Sequence, residues 1–262
     1  MDAAADPLTL LSLQIDWGAD EALADSAFSR LANASPAVTH TARIPIQNAT
    51  PARPTSMAAA ISATEPRNAP SIVAATLEAL CVAIRDFPGC GLRDTATNPV
   101  LPTGAPTSGL LVIGEPPVAE DDRSGIPFSG PAGLVLDRLL ASIGLRRDDI
   151  LLAPLIPWRP PGNRPPTDAE LTQCLPIVHR LICVTMPRRI LLTGILPVRA
   201  LLGGGVTLRR IRGQWKDLQV PGLSEPIPAL ASSSLRDLKT AADRHAVWAD
   251  WRLLHRSIHP ES

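Results

Sequence analysis

Four short apolar runs, each cut off by turn residues and followed by a helix-like stretch, constrain this chain most. They are 109–114 (GLLVIG), 149–156 (DILLAPLI), 189–194 (RILLTG) and 227–231 (IPALA). Runs this uniformly apolar have no polar side to show to water, so strands made from them must be covered on both faces. The segments between them supply the cover. Residues 131–143 have helical apolar spacing, a proline at the start and Gly144 at the end. Residues 167–185 open with a threonine cap and Glu170 three positions on. Residues 196–202 read as a short helix, and 241–256 as a last amphipathic one carrying Trp248 and Trp251. The alternation predicts an α/β fold, a three-layer α/β/α sandwich around a four-stranded parallel sheet.

Upstream the pattern changes. Residues 6–33 carry apolar positions at helical spacing, with a break at Gly18. Residues 34–70 place prolines at 36, 45, 51, 54, 66 and 70 among Ala, Ser and Thr, a composition that cannot hold a packed core. Helical spacing returns over 71–87 and stops at Phe87-Pro88-Gly89. The expected organisation is a helical extension over 1–33, a disordered linker over 34–70 and one folded domain over 71–262.

Several classes are excluded at this level. No run approaches eighteen apolar residues, so no membrane span is expected. The start, MDAAADPLTLL, lacks the basic region of a secretory signal. Cys81, Cys90, Cys174 and Cys183 are too few for a disulfide scaffold in 262 residues. A cytoplasmic monomer with reduced thiols is expected. The formal net charge of zero hides an asymmetry: residues 1–140 hold 8 arginines against 15 carboxylates, whereas 141–262 hold 17 basic residues against 10 carboxylates. Such a basic half either binds a polyanion or is an ordinary solvated surface.

In open α/β sheets ligands bind beyond the carboxyl ends of the strands. Residues 115–130, 157–166, the stretch after Gly194 and 232–236 should therefore meet. The first of these belongs to GEPPVAEDDRSGIPFSGPAG (114–133), with one carboxylate at the strand end, many turn residues and a loop phenylalanine, Phe128. That ring can stack on a base or simply anchor its loop. The second belongs to WRPPGNRPPTDAE (158–170), where Arg159, Asn163 and Arg164 are stiffened by four prolines. Such a loop suits phosphate contacts, or it caps the next helix. The GGGV at 203–206 lacks the Lys-Ser/Thr of a phosphate loop, and the serines at 232–234 have no visible histidine partner.

Together these segments resemble family four of the uracil-DNA glycosylase superfamily. The matching residues are Gly114-Glu115-Pro116-Pro117, Glu120-Asp121, Gly125-Ile126-Pro127-Phe128-Ser129-Gly130-Pro131-Ala132-Gly133 and the Arg-Pro-Pro-x-Asn-Arg of Arg159 to Arg164. The resemblance covers roughly residues 78–256. It implies a uracil-DNA glycosylase-like domain that hydrolyses the bond between uracil and deoxyribose in DNA repair. It implies that Glu115 steers the attacking water and that Gly114 and Phe128 receive the flipped base. Arg159, Asn163, Arg164 and Arg236 would hold DNA, single- or double-stranded, containing uracil or another damaged base.

The sequence also departs from that family's pattern. The asparagine that reads the uracil edge falls at Pro154, and the glycine after Glu-x-Pro is Val118. The family's histidine after the last strand is missing; Ser233 and Ser234 are the hydroxyls left there as partial substitutes. Losing one preorganised donor typically costs about 100–1000-fold in rate. Many family members also hold a four-iron cluster on four cysteines. Cys90 and Cys174 match two of those positions, while the other two fall at Phe87 and near Ile190. Cys174 and Cys183 lie about half a turn apart in angle on one helix, so they face opposite ways. No iron–sulfur cluster is expected, and the cysteines read as small buried hydrophobes. Two functions stay open: a glycosylase, weakened by these losses, or a non-catalytic relative that binds DNA or a damaged base.

Overall fold

The computed structural model describes residues 72–205 and 207–259. The extension expected over 1–33 and the linker expected over 34–70 lie outside the described residues.

Among those residues six strands form one sheet. They are β1 (Thr103–Gly104), β2 (Leu110–Gly114), β3 (Leu151–Pro154), β4 (Arg189–Thr193), β5 (Trp215–Leu218) and β6 (Ile227–Ser232). Their order is β1-β3-β2-β4-β6-β5. The four apolar runs are the inner strands, and they are parallel. The sheet count needs correction at the edges, where β1 and β5 each add an antiparallel strand. β1 is two residues long, and β5 reads Trp-Lys-Asp-Leu with Lys216 and Asp217 exposed, so neither forms an apolar run. Charges on an edge strand also discourage a second chain from pairing there.

Among the described residues seven α-helices accompany the sheet: α1 (Leu77–Arg85), α2 (Ala119–Ser124), α3 (Pro131–Ser142), α4 (Asp168–Thr185), α5 (Ile195–Leu202), α6 (Leu208–Ile211) and α7 (Ala241–Ile258). α1 is shorter than the 71–87 stretch. Thr76 is extended, and its hydroxyl accepts the Ala79 N–H at 3.2 Å, so the helix begins there. α4 opens with the expected reciprocal cap: the Thr167 hydroxyl accepts the Glu170 N–H at 3.2 Å, and the Glu170 carboxylate accepts the Thr167 N–H at 2.7 Å. Thr240 and Asp243 open α7 in the same way.

Side chains alternate between the two faces of the sheet, as the strand period requires. Leu111, Ile113, Ala153, Ile190 and Leu192 pack in one core with residues of α1 and α4. Leu110, Val112, Leu152, Leu191 and Leu230 pack in another with residues of α3 and α7. This is the three-layer sandwich. The path from β2 to β3 uses α3 on one face, and the return from β3 to β4 uses α4 on the other. That switch is what a constant right-handed crossover demands when the direction of travel reverses. The chain thus turns to opposite sides from β2, which opens a crevice between the carboxyl ends of β2 and β4.

Candidate active site

The registry brings the strand ends level. Gly114 stands opposite Pro154, and Thr193 opposite Ser232. Glu115 is the first residue beyond β2, so its carboxyl group enters the crevice. There it lies over Gly194, which follows β4. A Cβ at Gly194 would sit 2.5 Å from the Glu115 Cδ, and the backbone at Gly194 has φ +97, so both space and conformation call for glycine. Ser234, two residues beyond β6, donates its hydroxyl proton to Glu115 Oε2 at 2.6 Å. Loops after three neighbouring strands therefore converge on one carboxylate.

Phe128 joins it from the loop between α2 and α3. Its ring presses on Gly114, where a Cβ would lie 2.5 Å from the ring Cζ. The phenylalanine backbone is left-handed, with φ 55, which is a strained conformation for a bulky residue. Neighbours hold it there. Arg147 donates from Nη2 to the carbonyls of Phe128 at 2.8 Å and Gly133 at 3.2 Å. The buried Asp121 carboxylate accepts the Ser129 N–H at 2.8 Å, the Ser129 hydroxyl at 2.9 Å and the Val118 N–H at 3.1 Å. A Cβ at Gly133 would fall 1.8 Å from the Phe128 carbonyl oxygen, so the last glycine of the motif makes room for the loop backbone.

Two cavities adjoin these residues. A small one of about 10 Å³ is lined by Glu115, Asp121, Pro127, Phe128, Pro154 and Arg236. Pro154 faces it without an N–H to offer. A wider one of about 500 Å³ lies outside it, bounded in part by Val118, Phe128, Asn163, Leu235, Arg236 and Lys239. Asp121, Phe128 and Arg236 line both. Arg236 Nη2 reaches Asp121 Oδ2 at 3.5 Å.

Other candidate residues are placed differently from the simplest reading. Arg159 donates from Nε to Asn163 Oδ1 at 2.7 Å and lies 3.8 Å from the buried Asp122. Arg164 grips Glu170 with two bonds of 2.6 and 2.8 Å. The arginine holds the Glu170 carboxyl well below its usual range, at about 2. Arg164 thus clamps the start of α4, and Asn163 borders the wide cavity. Ser233 is half-buried beside the crevice, while the proton of Ser234 is committed to Glu115. Sequence reasoning missed Asp121, Asp122, Arg147 and Asp250. Asp122 accepts from the Thr97 N–H at 2.8 Å and the Asn98 N–H at 3.3 Å, fastening the segment before β1 to α2. Asp250 is buried in α7, where it accepts the Ser232 hydroxyl at 3.0 Å and lies 3.7 Å from Arg212 Nε. Burial pushes its carboxyl up to about 6. Asp121 stands in the matching Glu120-Asp121 pair and lies three residues after Val118, the residue that precedes α2, a spacing that marks a helix start.

The four positions considered for an iron–sulfur cluster are all buried in a single core. Phe87 stacks on Trp158 with ring centroids 5.9 Å apart. Cys90 and Cys174 share a hydrogen bond, which lowers the Cys90 thiol and, with burial, raises that of Cys174. Two thiols amid packed hydrocarbon do not fit a cluster that needs four thiolates. Among the described residues no three His, Cys, Asp or Glu side chains are grouped to hold a metal ion, and no helix is long and apolar enough to cross a membrane.

Fold and crevice define a class: doubly wound α/β proteins with a carboxylate beside an aromatic ring at the switch point of the sheet. Residues 101–252 match the family model of the uracil DNA glycosylase superfamily, which is more than half of the chain. The chain belongs to that superfamily. Curated relatives that it matches include type-4 uracil-DNA glycosylases. The type-4 uracil-DNA glycosylase of Pyrobaculum aerophilum is 35% identical over 126 residues, 48% of this chain and 64% of that protein. That of Archaeoglobus fulgidus is 31% identical over 159 residues, 56% of this chain and 80% of the relative. That of Thermotoga maritima is 30% identical over 138 residues, 52% and 72% respectively. Against the Pyrobaculum protein the chain spans a little under two thirds of the relative's length.

Proposed function

We propose that the chain is a uracil-DNA glycosylase that removes uracil from DNA by hydrolysis in base excision repair. The observation that carries this reading is the Glu115 carboxylate, held over Gly194 by Ser234 at 2.6 Å in a crevice that also contains the Phe128 ring. In the proposed reaction the flipped base stacks on Phe128, which offers a rigid aromatic face. The bond between the sugar C1′ and the base nitrogen breaks, and its electron pair leaves with the base. A water oxygen bonds to C1′, and Glu115 takes the water proton as a general base. The base regains a proton through solvent, so one water is consumed and free uracil and an abasic sugar result. Ser234 positions the carboxylate. Asn163, Lys239 and Arg236 border the wide cavity outside the crevice, where a DNA strand with its phosphates would lie.

One observation favours a second reading, a non-catalytic relative that binds DNA or a damaged base. The cavity against Glu115 holds only about 10 Å³, far less than a pyrimidine ring, so Phe128 or Arg236 must shift before a base can enter. The deciding experiment measures uracil release from single- and double-stranded oligonucleotides by the full chain, with Glu115→Gln in parallel. Release that collapses in the variant supports the enzyme. No release by the unaltered chain at high concentration, with DNA binding retained, overturns it in favour of the binding relative.

A further inference from the structure

We infer that Arg236 stabilises the negative charge that develops on the departing base. The inference rests on the glycosylase reading and names a residue for a role that reading leaves open. Six residues line the cavity against Glu115. Glu115 and Asp121 are carboxylates that act as acceptors. Pro127, Phe128 and Pro154 have no side-chain donor, and neither proline has a backbone N–H. Arg236 is the one lining residue with a cationic side chain, and its guanidinium carries five donors. An anion forming between two carboxylates is repelled by both unless a cation stands with them, and a preorganised donor aimed at such a charge is usually a large term.

The contacts of Arg236 suit that role. Its guanidinium touches Asp121 Oδ2 at 3.5 Å, at the limit of a hydrogen bond. Asp121 already accepts three shorter bonds, from Val118 and from the N–H and hydroxyl of Ser129. The guanidinium can therefore move to a base without leaving the buried carboxylate bare of donors. Its side chain is 30% exposed, so no core packing opposes the movement. The other end of the arginine is fixed. Its backbone N–H donates to Ser234 Oγ at 3.2 Å, and that hydroxyl donates to Glu115 Oε2 at 2.6 Å. One serine thus sets the spacing between the group that takes the water proton and the group that meets the base.

The test compares two leaving groups. Fluorine draws charge from 5-fluorouracil, so its anion needs less help than that of uracil. Single-turnover release is measured from single-stranded oligonucleotides carrying deoxyuridine or 5-fluorodeoxyuridine. The full chain is compared with Arg236→Gln and Arg236→Lys, and each variant is first shown to be folded by its melting curve. Arg236→Gln is expected to slow uracil release by on the order of 100–1000-fold, the cost of one donor aimed at a developing anion. It should slow 5-fluorouracil release by a clearly smaller factor. Arg236→Lys, which keeps the charge, should retain more of the uracil rate than Gln. Equal losses on both bases mark a phosphate contact or a steric gate and overturn the inference while leaving the glycosylase reading intact. So does a lysine variant no better than glutamine. Absence of release by the unaltered chain on both substrates overturns the two together.

Discussion

Replacing Asp250 with asparagine tests how the end of β6 is held. The carboxylate is buried in α7 between the Ser232 hydroxyl at 3.0 Å and Arg212 at 3.7 Å. Burial outweighs both contacts and pushes its carboxyl up to about 6. In the unfolded chain an aspartate titrates near 3.9. Below about pH 4 the group is protonated in both states and its contribution to stability is fully present. As pH rises from about 4 to 6, the unfolded chain gives up the proton first, and stability falls; above 6 the loss is complete. Two units at 1.36 kcal/mol each make that loss ~3 kcal/mol. Asparagine keeps an oxygen for Ser232 and has nothing to ionise. Urea unfolding followed from pH 4 to 8 should show the unaltered chain losing on the order of 2–3 kcal/mol more than Asp250→Asn across that window. Every other titratable group is common to the two proteins, so the difference between the two curves isolates Asp250. Parallel curves would refute the reasoning. So would a chain that gains stability relative to the variant as pH rises.

The remaining predictions concern the crevice and the core beneath it. Gly114→Ala sets a methyl 2.5 Å from the Phe128 ring tip, so the ring must tilt; overpacking of this kind costs ~1–3 kcal/mol, read as a lower melting point together with weakened binding of a uracil-containing oligonucleotide. Arg147→Ala removes three carbonyl bonds that hold the strained Phe128 loop, to Pro127, Phe128 and Gly133, together with the ion pair to Asp137. A loss of ~1–3 kcal/mol and faster hydrogen exchange across residues 125–133 are expected, and unchanged exchange would show that Asp121 alone suffices. The purified full chain should bind no stoichiometric iron by metal analysis, and Cys90→Ala with Cys174→Ala should leave its visible spectrum unchanged. Iron that is lost on those substitutions would overturn the packing argument.

The inner sheet was legible because burial on both faces leaves one kind of sequence: LLVIG, LLAP, RILLT and IPALAS are nearly without polar residues. Edge strands carry no such requirement, which is why Lys216 and Asp217 hid β5. The convergence of Glu115, Phe128 and the 232–236 segment was also legible, because level strand ends follow from a parallel sheet. The roles of the charged side chains were not. Arg164 looks like a phosphate ligand in sequence, yet its neighbour six residues on, Glu170, takes both of its forks. Arg147 looks like an ordinary surface charge, but it satisfies backbone carbonyls of a loop 19 positions away, and Asp121 holds the same loop from eight positions before it. Such pairings depend on where a turn brings the backbone, and composition does not record that.

The bond between Ser234 and Glu115 joins residues 119 positions apart. A chain leaving the ribosome exposes Glu115 long before Ser234 exists. Until β6 is synthesised and docked beside β4, the carboxylate has neither its serine nor the arginine that follows. Every product of premature termination within that interval therefore lacks the assembled crevice, whatever part of the sheet it can form. The arrangement of Glu115, Ser234 and Arg236 arrives with the last strand, so a nascent copy lacks it until the whole sheet is in place.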